Sequence, residues 1–409
     1  MQFFTRALAF AAAATPFLAS AAPVSSRQAA DEIIPGKYIV QLKPETDIAS
    51  IAAHHNVVRE IHARNLAKRD FAATEEEVGI EKEYGFGDFK GYAGAFDAAT
   101  VEELKALPEV LEVIEDYIMT TNALVTQNNA PRGLGSISSR TRGASSYIYD
   151  NTAGRSTFSY IVDTGIRTTH QEFGGRAQFG FNAVAGTNNN DNQGHGTHVA
   201  GTVGGITYGV AKQTTLIAVK VFEGRQGTAS DVIAGFDWAV NDIVSKGRQN
   251  SAVVNMSLGG AGSTVWDQAI TAAWNRGVLA VVASGNENQL ASNRSPARSP
   301  EVICVGNVQS DDARRGGSTG SNFGPAVDIF AAGTGIVSAY FDSDTSTATL
   351  TGTSMASPHV AGLVSYLRGL EGLSSAAAVK ARVLELATPN RVTDTQGSAN
   401  LLAYNGNGR

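Results

Sequence analysis

The chain has 409 residues, 43% hydrophobic and 17% charged, with a formal net charge of −6. That apolar content suffices for a sizeable core and two or three domains, and it excludes a disulfide-stapled miniprotein, a collagen or a disordered charged tail. Residues 1–122 carry 11 Lys+Arg against 19 Asp+Glu and residues 123–409 carry 21 against 19, with no basic cluster interleaved with aromatics to suggest nucleic-acid binding.

Residues 1–21 read MQFFTRALAFAAAATPFLASA: Arg6, an apolar stretch, then a small-x-small site at Ala19-Ser20-Ala21, as in a secretory signal. Beyond it no apolar run approaches the roughly 20 residues of a membrane-spanning helix. Residues 33–43 read as a strand after a Pro-Gly turn, 48–66 as a helix, Gly91–Phe96 as a strand, 100–107 as a short helix and Val110–Tyr117 as a strand, together a small α+β unit. Residues 119–135 are polar and read as a linker.

From Thr157 the pattern changes. Val- and Ile-rich runs without alternation occur at Phe158–Val162, Leu216–Val221, Ala252–Met256, Val278–Ala283 and Val302–Val305. Strands buried on both faces read this way. Helical periodicity covers Ser230–Lys246, Val265–Arg276, Ser354–Leu370 and Ser375–Ala387. The alternation predicts an α/β fold, a doubly wound, mostly parallel sheet with helices on both faces. In such sheets ligands bind beyond the carboxyl ends of the strands.

Asp163-Thr164-Gly165, Ser257-Leu258-Gly259-Gly260 and Ser284-Gly285-Asn286 all follow predicted strands. Gly194-His195-Gly196 and Gly352-Thr353-Ser354 open helical stretches. An imidazole with a pKa near 6.5 can take the proton of a serine hydroxyl at neutral pH, and a carboxylate can fix the imidazole tautomer. A side-chain amide such as that of Asn286 can donate to an oxyanion. His195 and His198 also stand at H-x-x-H spacing, as zinc ligands can, but no Cys or carboxylate cluster completes a set. Cys304, the one cysteine, has no partner and reads as a buried inert thiol, and His359 as structural. Of the two Asn-x-Ser sequons, Asn255 lies in an apolar run and Asn293 in a polar loop open to glycosylation.

VDTGI (162–166), GHGTHVAG (194–201), NMSLGG (255–260), SGNEN (284–288) and GTSMASPHVAG (352–362) resemble the signature blocks of the subtilisin-like serine proteases. APRGLGSISS (130–139) and LLAYNGN (401–407) resemble the proteinase K-like branch and its secreted fungal alkaline proteases of the oryzin type. The likeness spans about residues 123–409, in the order Asp, His, Ser. Residues 33–117 resemble the family's inhibitory propeptide.

The resemblance implies a signal peptide (1–21), an inhibitory propeptide (22–122) and a protease domain (123–409). It makes Asp163 the orienting acid, His195 the general base and Ser354 the nucleophile, with Asn286 and the Ser354 backbone N–H as oxyanion donors. Ser257, Leu258 and Gly259 would pair with extended substrate, and Ala283, Ser284 and Gly285 would wall an apolar pocket. The implied protein is a secreted, monomeric endopeptidase acting on proteins and peptides, with no organic cofactor. It would prefer large apolar or aromatic residues and cut itself near Asn122–Ala123, its own propeptide serving as inhibitor. A silent, peptide-binding subtilase is the alternative that an intact Asp163, His195, Ser354 and Asn286 disfavours. The resemblance also implies a structural calcium ion at the Pro300 and Val302 carbonyls and Asp328.

Three departures stand out. Arg132 replaces a usual Trp, Ala332 a usual Pro, and RRGGSTG (314–320) a more apolar stretch, which predicts a looser loop there.

Overall fold

Asp47 and Asp97 set the two helices of the N-terminal unit. Their carboxylates accept from Ser50 N (2.8 Å) and Thr100 N (2.6 Å) and cap Ile48–Leu66 and Ala98–Lys105. The protein is described from a computed structural model over residues 33–68, 79–118 and 124–407. Residues 1–21, predicted as a secretory signal, and the Asn122–Ala123 bond lie outside these. The helices accompany an antiparallel sheet ordered Gly79–Phe86, Phe89–Ala95, Ile33–Leu42, Val110–Tyr117. Val40 pairs with Tyr92 on one side and Val113 on the other. Val40, Leu42, Val58, Tyr92 and Leu104 are fully buried in this unit's own core. The sequence pattern missed the strand Gly79–Phe86. It is an edge strand, and its Glu81-Lys82-Glu83 reads as loop although such charges protect an edge.

The larger unit is built on nine strands. Their order is Thr388–Pro389, Leu401–Leu402, Ile329–Ala332, Val302–Val308, Ala280–Ala283, Ala252–Met256, Phe158–Asp163, Thr215–Lys220, Ala177–Asn182. All pairs are parallel except that of Thr388–Pro389 with Leu401–Leu402. Phe158–Asp163 lies between Thr215–Lys220 and Ala252–Met256, with Tyr160 opposite Ile217 and Val254. One core packs the buried helices His195–Gly204 and Thr353–Glu371 on one face. A second packs Ala229–Ser245 and Thr264–Asn275 on the other. Chain order reverses at Phe158–Asp163, because later strands are added first on one side and then on the other. That switch point opens a crevice beyond its carboxyl end and that of Ala252–Met256.

The linker reading gives way in part. Leu124–Gln127 pairs antiparallel with Tyr147–Asp150, and Arg132–Ser138 is helical. Both are too short for periodicity to register. Arg132 fits its site by donating to three carbonyls, Thr334 (2.9 Å), Val308 (3.2 Å) and Gln309. Ala332 ends a strand at 2% exposure. Cys304 is buried. Asn255 is fully buried, whereas Asn293 is exposed.

Candidate active site

Asp163 is the last residue of the central strand and its carboxylate is wholly buried. His195 begins the helix His195–Gly204, and its Nδ1 lies 2.8 and 3.0 Å from the two Asp163 oxygens. Gly196 must be glycine: a Cβ there would stand 2.1 Å from the Gly165 carbonyl oxygen. The close approach of helix and strand end is what brings imidazole to carboxylate. Burial alone would lower the His195 pKa, but the Asp163 charge and hydrogen bond, aided by Asp191, raise it. Asp163 therefore holds Nδ1 as the donor and leaves Nε2 free to accept a proton.

Ser354 is the second residue of the helix Thr353–Glu371, in the positive field of its N-terminus. Its Oγ donates to the Ser257 carbonyl at 3.1 Å, and the Ser257 hydroxyl donates back to the Ser354 carbonyl at 2.8 Å. With its hydroxyl directed at the Ser257 carbonyl, Ser354 makes no hydrogen bond to His195 here; such catalytic bonds commonly tighten only when substrate is bound. The Asn286 Oδ1 accepts from Thr353 N (2.8 Å) and Thr353 Oγ1 (3.1 Å). With its oxygen committed to the helix start, the amide presents its NH2 end as the available donor. Ser257 is itself positioned by Asn255, whose Nδ2 donates to it at 3.0 Å while its Oδ1 accepts from Ser357 at 2.9 Å.

Three supporting residues escaped the sequence reading. Asp191, 4% exposed, accepts five hydrogen bonds. Its Oδ1 takes Thr164 Oγ1, Gln193 N and Gly194 N, and its Oδ2 takes Thr197 N and Thr197 Oγ1, all at 2.6–2.9 Å. It thus ties the segment after Asp163 to the turn before His195. Lys220, 1% exposed, donates to the carbonyls of Thr164 (3.1 Å) and Asn190 (3.0 Å). Asn322 spans the loop that carries Asn286: its amide donates to Ser284 O (2.9 Å) and accepts from Glu287 N (3.0 Å) and Gln289 N (3.1 Å). Only the short spacing of Asp191 from His195 was a usable signal; Asn322 is 36 residues from Asn286 with nothing local to mark it.

Asp163, His195, Ser354 and Asn286 line one cleft of about 680 Å³, together with Ser257, Leu258 and Gly259. Phe222, Tyr340, Leu350 and Met355 supply further apolar wall, and Arg225 stands at the rim. Ala283, Ser284 and Gly285 do not line this cleft. Ala283 and Ser284 are buried at a strand end, and a Cβ on Gly285 would meet the Asn322 amide at 2.3 Å. His198 donates from Nε2 to Ile336 O (3.0 Å), and burial lowers its pKa to about 4, a core histidine rather than a zinc ligand. His359 bonds the Met355 carbonyl at 2.8 Å and is likewise held near 4 by burial.

The candidate calcium ligands do converge, but on the Lys380 ammonium. Its Nζ donates to Pro300 O (2.9 Å) and Val302 O and pairs with Asp328 Oδ1 at 3.3 Å. As arranged, these oxygens do not fit a calcium ion, which needs six to eight oxygen ligands at 2.3–2.6 Å. Among the described residues no cluster of three or more His, Cys, Asp or Glu offers another metal site.

Both units of the chain are similar to known proteins. Residues 157–408 match the model of the Subtilase family, and residues 37–122 match Peptidase inhibitor I9. Alkaline protease 1 of Aspergillus clavatus is 50% identical over 406 residues, covering 99% of this chain and 100% of that one. The alkaline proteinase of Hapsidospora chrysogena is 50% identical over 402 residues, covering 95% and 96%. The crystal structure of a cold adapted subtilisin-like serine proteinase is similar at 40% identity and a TM-score of 0.62, covering 68% of this chain and 99% of that one.

Proposed function

The chain belongs to the subtilase family and is a serine endopeptidase carrying an I9 inhibitor segment, and on that premise we propose that it is a secreted, self-processing zymogen using Asp163, His195 and Ser354. The observation that carries the proposal is the bond of 2.8 Å from Asp163 to His195 Nδ1, in the same cleft as Ser354 and the oriented amide of Asn286.

Extended substrate adds as a strand along Ser257-Leu258-Gly259. His195 Nε2 takes the Ser354 proton as Oγ attacks the scissile carbonyl carbon. The resulting oxyanion accepts from Asn286 Nδ2 and the Ser354 N–H, aided by the helix field. Asp163 stabilises the imidazolium without itself taking the proton. His195 then protonates the departing amine, and the C–N bond breaks to leave an ester on Ser354. Water enters and gives its proton to His195; its hydroxide oxygen attacks the ester, and the Ser354 oxygen leaves with the proton returned. The raised His195 pKa means that activity falls as pH drops through that value, because only neutral imidazole can act as the base.

The apolar cleft wall supports a broad preference for large apolar or aromatic residues. Self-cleavage near Asn122–Ala123 does not require a match to that preference, because the tethered segment reaches a high effective concentration. The decisive experiment is Ser354→Ala in the full chain. Turnover should fall by several orders of magnitude, and the precursor, expressed without other proteases, should stay uncut. Retention of more than about a tenth of wild-type activity, or normal processing, would refute the assignment.

A further inference from the structure

We propose that Lys380 is a built-in cation standing where the resemblance implies a calcium ion, so that this corner of the protein needs no external metal. The observation is geometric. Three oxygens from two segments point at one ammonium: the carbonyls of Pro300 and Val302 and the carboxylate of Asp328. An ammonium has three donors, and the site offers three acceptors.

The surroundings fix both partners. Asp328 divides its carboxylate, Oδ1 going to Lys380 and Oδ2 accepting from Cys304 N at 2.8 Å. Its own N–H donates to the Cys304 carbonyl at 3.0 Å and fixes the backbone there, so the side chain cannot swing away without giving up its bond from Cys304 N. Lys380 lies in the helix Ala376–Leu386, which Ser375 caps at 3.0 Å and which buries Val379 and Val383. The Lys380 side chain is 16% exposed and that of Asp328 24%. The lysine therefore joins this helix to the entry ends of two neighbouring strands, Val302–Val308 and Ile329–Ala332, at the end of the sheet opposite the cleft.

Charge and mass action point the same way. With one carboxylate, a monocation neutralises the site, whereas a divalent ion would leave an excess positive charge. Calcium would also have to displace the ammonium from the same three oxygens, against its repulsion. An external ion stabilises only in proportion to the logarithm of its concentration over its dissociation constant. A tethered ammonium is present at every calcium concentration.

The test uses mature protein inactivated with a sulfonyl fluoride, so that autolysis cannot mimic unfolding. Calcium bound per chain is measured by equilibrium dialysis for wild type and Asp328→Asn. Melting is followed in excess chelator for wild type and Lys380→Met. The two calcium counts should be equal, and Lys380→Met should melt about 3 °C or more below wild type, since two carbonyls and a carboxylate lose their donor. One additional calcium in wild type over Asp328→Asn would overturn the proposal. So would Lys380→Met melting with wild type in chelator. If Lys380→Met does not fold, the calcium counts still decide.

Discussion

Asp191 is the most informative residue to perturb, because it touches neither substrate nor the reacting atoms yet braces both sides of the Asp163–His195 pair. In Asp191→Asn one oxygen becomes an NH2 group. Whichever way the amide turns, a donor faces donors: Thr197 N and Oγ1 on one side, or Gln193 N, Gly194 N and Thr164 Oγ1 on the other. At least two of the five accepted bonds are lost in a site 4% exposed. Bonds to a charged acceptor are worth about 1.5–3 kcal/mol each, and the hydroxyl of Thr197 can rotate to donate elsewhere, so roughly 3 kcal/mol is the expected net loss. At about 2–4 °C per kcal/mol for a unit of this size, melting should fall by roughly 6–12 °C. The electrostatic consequence has a definite sign. Asp191 helps raise the His195 pKa, so removing its charge lowers that pKa and moves the acid limb of kcat/KM to lower pH. Melting of the inactivated protein and a pH profile of kcat/KM on one peptide measure the two effects separately. A variant that melts within about 2 °C of wild type with an unmoved acid limb would show that the bracing is idle.

Asn286→Leu should lower kcat by about 10²–10³ with little change in KM, the loss known for removing such a donor in subtilisin itself; single-peptide kinetics check it, and a loss confined to KM would assign Asn286 to ground-state binding instead. The cleft wall of Leu258, Phe222, Leu350 and Met355 predicts cleavage mainly after large apolar or aromatic residues. A peptide library profiled with mature enzyme should show that, and dominance of Lys or Arg before the cut bond would contradict it.

How far the sequence carried these conclusions depended on distance along the chain. Helix ends fell within one residue of the observed Ala229–Ser245, Thr264–Asn275 and Thr353–Glu371, because each buries a long apolar stripe. Strands buried on both faces were legible for the same reason. Ala177–Asn182 and Ile329–Ala332 were not: the first is an edge strand of mixed polarity, the second is four residues long. At the site, residues in glycine-flanked blocks could be named from the sequence. Asp191, Asn322 and Lys380 could not be assigned, because each acts on segments brought to it only by folding. The same is true of Pro300, Val302 and Asp328, since the lysine that meets them lies 52 residues beyond Asp328.

The glycine-rich stretch Arg314–Gly320 shows what such long-range contacts can do. Its composition predicts a loose loop, and Gly316 and Gly317 are indeed open around their Cα positions. Arg314, however, is 5% exposed and clamps the loop. Its guanidinium donates to Ser321 O (2.7 Å), Asn288 Oδ1 (2.9 Å), Asp394 O (2.9 Å) and Asp394 Oδ2 (2.9 Å), and lies 5.1 Å from the Phe323 ring centroid. The clamp continues toward the cleft. Ser321 is followed by Asn322, whose N–H donates to Gly285 O at 2.9 Å and whose side chain holds the loop bearing Asn286. Arg314→Met keeps the apolar stem but abandons two backbone carbonyls and a carboxylate, a loss of about 3 kcal/mol. That should lower melting by several degrees. It should also reduce kcat more than KM, because a wandering Asn286 costs oxyanion stabilisation rather than substrate affinity. Arg314→Lys, with one donor group in place of a planar fork, should fall between. If Arg314→Met is destabilised while kcat holds at the wild-type value, the clamp serves stability alone and the path from Arg314 through Asn322 to Asn286 does not carry its effect to the reaction.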